Sequence, residues 1–403
     1  MYNPGVQKND KFLERSKFVE PHYITNKNTT QSLKKMNLMA KLHQPLVLDY
    51  LKALDLAKGS KAPFIVELDT TEVCNLKCKG CISDDVILSK NSFSGERLMR
   101  LADEMIDAGV RGVILIGGGE PLAHPKSGEF MEKLGQNGVS IGITTNGSFI
   151  GKFVDVIAQY VHWTRVSMDA GTDEMFYHLR PAKNGRSLFE NITSSMRELA
   201  KKKRGKLGYS FLVRTPADGF GIQSNIADLY PAAKLAKDIG CDYFEVKPSY
   251  KFSGNSDHYL IKHAQEDMQA ARRELEKCRA LADESFTVVL SINLEYSLNG
   301  TQNFQPKDYH ICPSAEMRTL ICPSGAYVCP YFRGKQNMCI GELHETSFMD
   351  MWHGATRKSV LERLDPVKHC KMHCIRHDTN MEIFRMLDGR VFEAWEDLGD
   401  LFI

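Results

Sequence analysis

The segment Cys74-Asn-Leu-Lys-Cys78-Lys-Gly-Cys81 contains three cysteines, with three residues between the first two and two between the last two. Three thiolates bind three corners of a 4Fe-4S cube and leave the fourth iron without a protein ligand, which is the arrangement needed if a small molecule is to bind there. No further cysteine occurs before Cys241, which fits an open corner. Short Cys-x2-Cys spacings also serve structural zinc sites, so zinc is the alternative.

This cysteine run resembles the signature of the radical S-adenosylmethionine (radical SAM) superfamily. The resemblance implies that the free iron chelates the amino and carboxylate groups of the methionine moiety of SAM. It also implies that the reduced cluster passes an electron to the sulfonium, and that the resulting 5'-deoxyadenosyl radical removes a hydrogen atom from the substrate. The family usually has an aromatic residue just before the third cysteine. This chain has Gly80 there, so no aromatic partner for adenine is assigned.

Length and composition narrow the class of protein. The chain has 403 residues, 42% of them hydrophobic, which is enough for large cores in two or three domains. Its 52 basic and 50 acidic residues nearly balance, so no global charge favours nucleic acid or a membrane surface. Residues 1–14 are polar and charged, without the apolar segment of a secretory signal, and no stretch approaches the length of a membrane span. We therefore expect a cytoplasmic protein. In a reduced compartment, eleven cysteines indicate ligands rather than disulfides.

From Ala62 onward, short apolar segments alternate with helical ones, which predicts an α/β fold with a parallel sheet built from βα units. Helical periodicity is found in segments such as 95–108 and 229–239. The predicted strands are 64–68, 112–116, 139–144, 164–168, 207–213 and 243–247. Six such units match the partial (β/α)6 TIM-like barrel that the resemblance implies. In such a barrel the chemistry belongs at the carboxyl ends of the strands.

Four regions are expected along the chain. They are a helical extension over residues 1–60, the radical SAM partial barrel over 61–255, a linking helix and strand over 256–300, and a small cysteine-rich auxiliary-cluster domain over 301–403. The extension is predicted from an amphipathic pattern between residues 30 and 57. The linking region is predicted as a charged helix over 259–283 and a strand over 286–296.

Glycines and short polar residues follow the predicted strands. Glycines after the second strand let backbone carbonyls approach a ligand such as a methionine ammonium, and this run resembles the GGEP motif of the family. Polar side chains after the third and fourth strands suit ribose hydroxyls and the carboxylate of SAM, but are equally typical of turns and helix caps. A nearby arginine could pair with that carboxylate or lie on the surface. The predicted cofactor-binding residues are Gly117, Gly118, Gly119, Glu120, Thr144, Asn146, Ser167, Asp169 and Arg180.

Three charged residues are the candidate catalytic groups. Arg214 ends the fifth predicted strand, while Glu245 and Lys247 lie at the end of the sixth. Since residues two apart in a strand share a face, Glu245 and Lys247 point together into the cavity or out of it. If they point inward, they bind substrate or move a proton, and the alternative is a structural ion pair.

A second group of six cysteines lies between residues 312 and 374. Residues 320–328 predict two strands around a Pro-Ser-Gly turn. This hairpin resembles the auxiliary-cluster extension of SPASM and twitch proteins, and the resemblance implies one auxiliary 4Fe-4S cluster, with Cys322 and Cys339 excluded as ligands. Its implied ligands are Cys312, Cys329, Cys370 and Cys374. Six thiolates are too few for two auxiliary clusters, and a zinc ribbon is the alternative.

Together these features predict a radical SAM enzyme that abstracts hydrogen from a small polar substrate such as a carbohydrate, aminoglycoside or polyol. The outcome would be dehydrogenation, deoxygenation or epimerisation. The expected partners are that small molecule and a flavodoxin or ferredoxin reductant, with no nucleic acid and no membrane. A maturase of ribosomal peptides is an alternative, disfavoured because no strand-rich leader-binding pattern is evident. A non-catalytic iron-sulfur or zinc protein is another, but it would not need the glycine and strand-end motifs.

Overall fold

A ten-stranded sheet organises the chain in the computed structural model, which describes residues 37–252 and 258–403. Six consecutive strands pair in parallel: β1 (Ile65–Leu68), β2 (Gly112–Leu115), β3 (Ser140–Thr145), β4 (Val161–Ser167), β5 (Lys206–Val213) and β6 (Tyr243–Pro248). This arrangement confirms the predicted α/β class with a partial TIM-like barrel.

Five of these strands begin and end within one residue of their predicted bounds, and β4 differs most. It begins at Val161 rather than at residue 164, because the preceding helix ends at Tyr160 and the chain enters the strand without a loop. The exposed His162 and half-buried Trp163 interrupt the apolar pattern there. Hydrophobicity alone therefore placed the start of β4 too late.

Two short helices precede the barrel, α1 (Leu38–Leu42) and α2 (Pro45–Ala53). The predicted amphipathic pattern over residues 30–57 is interrupted at Pro45, because the residue before a proline avoids the helical region. Apolar side chains of both helices pack against Met386 near the end of the chain and against Phe402. Residues 1–36, including the charged stretch 1–14 and the start of the amphipathic pattern, lie outside the described residues.

Helices lie between the strands, and all but the first of them bury apolar side chains against the sheet. They are α3 (Asp84–Ile87), α4 (Gly95–Asp107), α5 (Ser127–Gln136), α6 (Ile150–Tyr160), α7 (Asp173–Leu179), α8 (Phe189–Lys202) and α9 (Leu229–Ile239). In α4, the buried Leu98, Leu101 and Met105 are spaced three and four residues apart and face the sheet. In neither described stretch is any helix long and apolar enough to cross a membrane.

The inner face of the barrel is apolar near the amino ends of the strands. Ile65 of β1, Ile114 of β2 and Trp163 of β4 pack around Phe402. The rings of Trp163 and Phe402 meet edge to face, with centroids 5.5 Å apart. We call this apolar cluster around Phe402 the Phe402 plug. Polar inner-face side chains therefore lie beyond it, toward the carboxyl ends of the strands.

The segment after β6 differs from its predicted structure. It first forms the antiparallel pair β7 (Tyr250–Phe252) and β8 (His258–Leu260), so the predicted helix begins only at α10 (Gln265–Arg279). Next, β9 (Thr287–Leu290) pairs in parallel with β6 and ends the sheet. The predicted strand stops there, because Leu294 and Leu298, four residues apart, bury one face of α11 (Ile292–Leu298).

The cysteine-rich region continues the barrel sheet on its other side. After α12 (Ser314–Met317), β10 (Arg318–Cys322) and β11 (Gly325–Tyr327) form the predicted antiparallel hairpin, and β12 (Cys339–Gly341) adds to it. β10 also pairs in parallel with β1, which local sequence patterns do not indicate. The remaining helices are α13 (Phe348–His353), α14 (Ala355–Arg363), α15 (Pro366–His369) and α16 (His377–Gly389).

Candidate active site

The first three cysteines lie half-buried in a loop that directly follows β1. Two backbone bonds hold this loop against the segment after α7, since the N–H of Lys77 donates to Pro181 and that of Lys79 donates to Leu179. Just before Lys77, Leu76 is buried and forms a β-bridge with Ala182. The loop conformation is therefore set by neighbouring backbone.

Side-chain nitrogen donors lie beside two of the three thiols. Nδ2 of Asn146 is 3.7 Å from Sγ of Cys74, and Nη1 of Arg180 is 3.7 Å from Sγ of Cys78. Burial raises the pKa of Cys78 to about 12, and the nearby charges of Cys81 and Cys74 add to this shift while Arg180 opposes it. The three thiols are thus close neighbours with donors for their thiolate forms, an environment that fits three ligands of one cluster.

The glycine run after β2 packs directly against the backbone around the cysteine loop. A Cβ atom on Gly119 would lie 2.4 Å from the carbonyl oxygen of Val73, and one on Gly118 would lie 2.7 Å from Oδ2 of Asp69. The N–H of Glu120 also donates to the carbonyl of Val73. These glycines are therefore required for packing within the chain itself, in addition to any ligand they accommodate.

Glu120 joins the ends of β2 and β3 from a fully buried position. Its carboxylate accepts hydrogen bonds from Oγ1 of Thr145 at 2.6 Å, from the N–H of Asn146 at 2.7 Å and from the N–H of Leu122 at 3.1 Å. Burial raises its pKa to about 7, against the effect of these donors. All these contacts are with the chain itself, so the structure gives Glu120 a role in holding the strand ends together.

Asp169 and Arg180, both predicted to bind cofactor, pair with each other. Nε of Arg180 is 2.9 Å from Oδ2 of Asp169, whose other oxygen accepts a bond from the N–H of Leu212. Asp169 has a left-handed backbone with φ of 58°, which is uncommon outside glycine. Ser167, two residues earlier, is half-buried at the end of β4.

Glu245 and Lys247 project from the same, inner face of β6. Both are half-buried, whereas Phe244 and Val246 between and beside them are buried among the outer helices. Nζ of Lys247 lies 3.3 Å from Oε2 of Glu245. The structure thus places the pair on the cavity side of the sheet.

Arg165 of β4 completes this group, and sequence reasoning missed it. Its Nη1 is 3.2 Å from Oε2 of Glu245, and its Nη2 is 3.2 Å from Oγ1 of Thr144, a predicted cofactor-binding residue. The signal was present, because Arg165 lies two residues before Ser167 and therefore on the same face of the strand. The two-residue strand period that was applied to Glu245 and Lys247 would also have identified Arg165 on β4.

Arg214, the third candidate catalytic residue, makes its contacts elsewhere. Its guanidinium is buried, donates from Nε to Oδ1 of Asp218 at 2.5 Å and lies 3.4 Å from the carbonyl of Lys79 in the cysteine loop. The structure therefore joins Arg214 to the cysteine loop rather than to Glu245 and Lys247. Its strand-end position indicated proximity to the site, but not this orientation.

The four implied auxiliary ligands come together from three separate segments. The charges of Cys374, Cys312 and Cys370 all add to the burial that raises the pKa of Cys329. Nδ2 of Asn380 lies 3.6 Å from Sγ of Cys312, and the N–H of Arg376 lies 3.4 Å from Sγ of Cys374. The excluded Cys322 and Cys339 lie instead beside Tyr327 on the hairpin.

The donor sets differ from a site for a single metal ion. In the two described stretches, no three His, Cys, Asp or Glu side chains are arranged as ligands of one ion. A 4Fe-4S cube takes one thiolate at each corner, so its ligands surround a volume rather than a point.

Comparisons with known proteins show what this chain is similar to. Residues 68–213 match the Radical SAM superfamily. The mycofactocin maturase MftC of Mycobacterium tuberculosis is 24% identical over 311 residues, which cover 74% of this chain and 72% of that protein. The antilisterial bacteriocin subtilosin biosynthesis protein AlbA of Bacillus subtilis is 22% identical over 259 residues, covering 64% and 54%. The crystal structure of Streptococcus suis SuiB bound to precursor peptide SuiA has a TM-score of 0.55 at 14% identity, covering 96% and 84%.

These relatives correct one prediction. A small polar substrate, and with it a small-molecule partner, was predicted from the absence of a leader-binding pattern before the barrel. The similar proteins are instead named for the maturation of mycofactocin and the biosynthesis of a bacteriocin. The prediction of a carbohydrate, aminoglycoside or polyol is therefore wrong. The prediction failed because the sequence that precedes a barrel does not determine which molecule enters the barrel.

Proposed function

Because this chain is a radical SAM enzyme, we propose that it modifies a ribosomally synthesised peptide. One observation carries this proposal. The similarity to MftC extends over 311 residues, whereas the Radical SAM match begins at residue 68 and ends at residue 213. The resemblance to a maturase therefore includes regions outside the domain that all radical SAM enzymes share.

We assign the SAM-binding cluster to Cys74, Cys78 and Cys81. When bound, the cluster and SAM supply a 5'-deoxyadenosyl radical that abstracts a hydrogen atom from the substrate. The side chains of Asn146 and Arg180 donate toward two of these thiolates and disperse their negative charge. The other residues predicted from the sequence to bind the cofactor are included in this assignment. Among them, Glu120 and Asp169 are proposed to contribute by positioning neighbouring residues of the chain.

We also assign an auxiliary 4Fe-4S cluster to Cys312, Cys329, Cys370 and Cys374. The closeness of the four thiols and the two N–H donors beside them support this assignment. Four thiolates would occupy all four irons, so no corner is left for substrate. The cysteine-rich region is joined to the barrel through the pairing of β10 with β1. We further propose a cytoplasmic location, because free thiols persist in a reducing compartment.

The inner face of the barrel is the proposed substrate site. Solvent reaches its polar side chains, since those of Arg165, Glu245 and Lys247 retain 27%, 17% and 25% of their accessible surface. The Phe402 plug lies on the side of the amino ends of the strands, so the substrate is proposed to enter from the carboxyl ends, where the cysteine loop lies.

The test uses anaerobically reconstituted protein with SAM, dithionite and synthetic copies of short peptides encoded beside its gene. We expect one of these peptides to change mass while 5'-deoxyadenosine forms, as followed by mass spectrometry. The variant in which Cys74, Cys78 and Cys81 are all replaced by alanine is the control and should yield neither product. Peptides that stay unmodified while a carbohydrate or aminoglycoside is consumed would refute the proposal.

A further inference from the structure

The barrel interior carries more positive than negative charge at one place. Arg165 and Lys247 both contact the same atom, Oε2 of Glu245, at 3.2 and 3.3 Å. Two cations thus share one carboxylate. Of the described groups that exert charge on this cluster, Asp169 is paired with Arg180 and Glu67 is paired with Arg318. Neither is available to balance the second cation.

Arg165 also has donors without partners. Its Nη1 and Nη2 each make one bond, whereas its Nε is buried and has no hydrogen-bond partner among the described residues. A buried guanidinium N–H without an acceptor costs free energy. An incoming carboxylate would instead accept from the remaining N–H groups of Nη1 and Nη2, because the side chain retains 27% of its accessible surface and carboxylates accept paired bonds from the planar guanidinium fork.

The titration behaviour of the cluster agrees with this excess of positive charge. Burial lowers the pKa of Lys247, and the adjacent Arg165 lowers it further, although Glu245 and Asp169 oppose the shift. Burial alone would raise the pKa of Glu245, but Lys247 and Arg165 together lower it to about 2. Glu245 therefore stays ionised, and Lys247 remains incompletely compensated.

We propose that Arg165 and Lys247 form a subsite for a carboxylate of the peptide substrate, with Glu245 neutralising only one of the two cations. This proposal rests on the proposed function, because it assumes that the substrate is a peptide. The carboxylate comes from an aspartate or glutamate side chain or from the carboxyl terminus of the peptide. The subsite lies on the inner face of β4 and β6, so it orients the peptide within the barrel.

The experiment measures binding of three synthetic probes by calorimetry. The first is Gly-Gly-Glu-Gly-Gly with an amidated end, the second replaces its glutamate by glutamine, and the third is pentaglycine with a free carboxylate. We expect the subsite to bind one of the carboxylate probes about 10-fold or more tightly than the neutral one, as a charge-assisted bond does. The first and third probes identify which carboxylate it takes.

Four variants locate the effect. Arg165→Gln and Lys247→Met should remove the preference for the carboxylate probe, whereas Glu245→Gln should increase it several-fold because a competing carboxylate is gone. A merely structural role of the cluster would not produce this opposite sign, and the Glu245→Gln result decides the matter if the other two variants fold poorly. Arg197→Gln on the outer helix α8 is the matched control and should bind like the wild type.

The results distinguish a peptide-carboxylate subsite from a role of Arg165 in binding SAM. Equal binding of all three probes by the wild type would overturn the subsite, even if a gene-encoded peptide is modified. A loss of SAM affinity in Arg165→Gln, without loss of probe preference, would also overturn it, because the carboxylate would then be that of methionine. A retained preference with no peptide modified supports the subsite and defeats only the proposed function.

Discussion

Arg333 donates two parallel hydrogen bonds to the carboxylate of Asp69. Nε lies 2.9 Å from Oδ2, and Nη2 lies 2.9 Å from Oδ1. Asp69 is fully buried between β1 and the cysteine loop, while Arg333 belongs to the segment between β11 and β12. This pair therefore joins the segment before the cysteine loop to the cysteine-rich region, beside the Gly118 backbone.

We expect Arg333→Met and Asp69→Asn each to destabilise the fold by roughly 3–5 kcal/mol, since either change removes one partner of a buried charge pair. The double variant should cost less than the sum of the two, because no unpaired charge is then left. Unfolding by denaturant under anaerobic conditions measures all four proteins. Additive losses would show that the two residues do not act together.

The iron content follows from the two cysteine groups. Reconstituted wild-type protein should hold about eight irons and eight sulfides per chain, as two cubes require. Replacing Cys74, Cys78 and Cys81 by alanine should leave about four irons, and so should replacing the four auxiliary cysteines. Iron and sulfide assays with metal analysis give the count. Zinc in place of iron would contradict the assignment.

Gly80 is expected to tolerate no side chain. Its φ is 60°, and a Cβ atom would lie 2.8 Å from Nη2 of Arg214 and 3.0 Å from Cδ2 of Phe220. Gly80→Ala should therefore cost more than the roughly 1–2 kcal/mol of a left-handed backbone. Gly138→Ala is the control, since Gly138 has φ of 73° and no atom within 4 Å of the added Cβ. Equal melting temperatures for the two variants would refute the steric argument.

Glu120 should make stability depend on pH. Its pKa in the fold, about 7, lies above the ordinary 4.5, so the protonated form stabilises the fold. This contribution is complete below about pH 4.5 and is lost as the pH rises through about 7. Glu120→Gln removes the titration and should flatten the pH dependence of thermal unfolding across that window. The exposed Glu132→Gln should follow the wild type, and an unchanged slope in Glu120→Gln would contradict the prediction.

The successful predictions were based on short-range patterns in the sequence. The spacing of Cys74, Cys78 and Cys81 led to the radical SAM class, and alternating apolar segments led to the parallel sheet. Arg165 was not predicted as a site residue, because the two-residue period was applied to β6 and not to β4. The substrate class was wrong because the absence of a local pattern before the barrel was taken as evidence about a cavity elsewhere.

The sequence by itself determined what depends on residues close together in the chain: the cysteine motif, the six barrel strands to within a few residues, and the hairpin at residues 318–327. Only the tertiary structure decided that β10 pairs with β1, that Arg333 meets Asp69, and that Arg165 and Lys247 share one carboxylate. These contacts join distant segments, and which of them form depends on which surfaces are buried against one another. Local residue spacing and hydrophobic periodicity do not indicate which distant segments will come into contact.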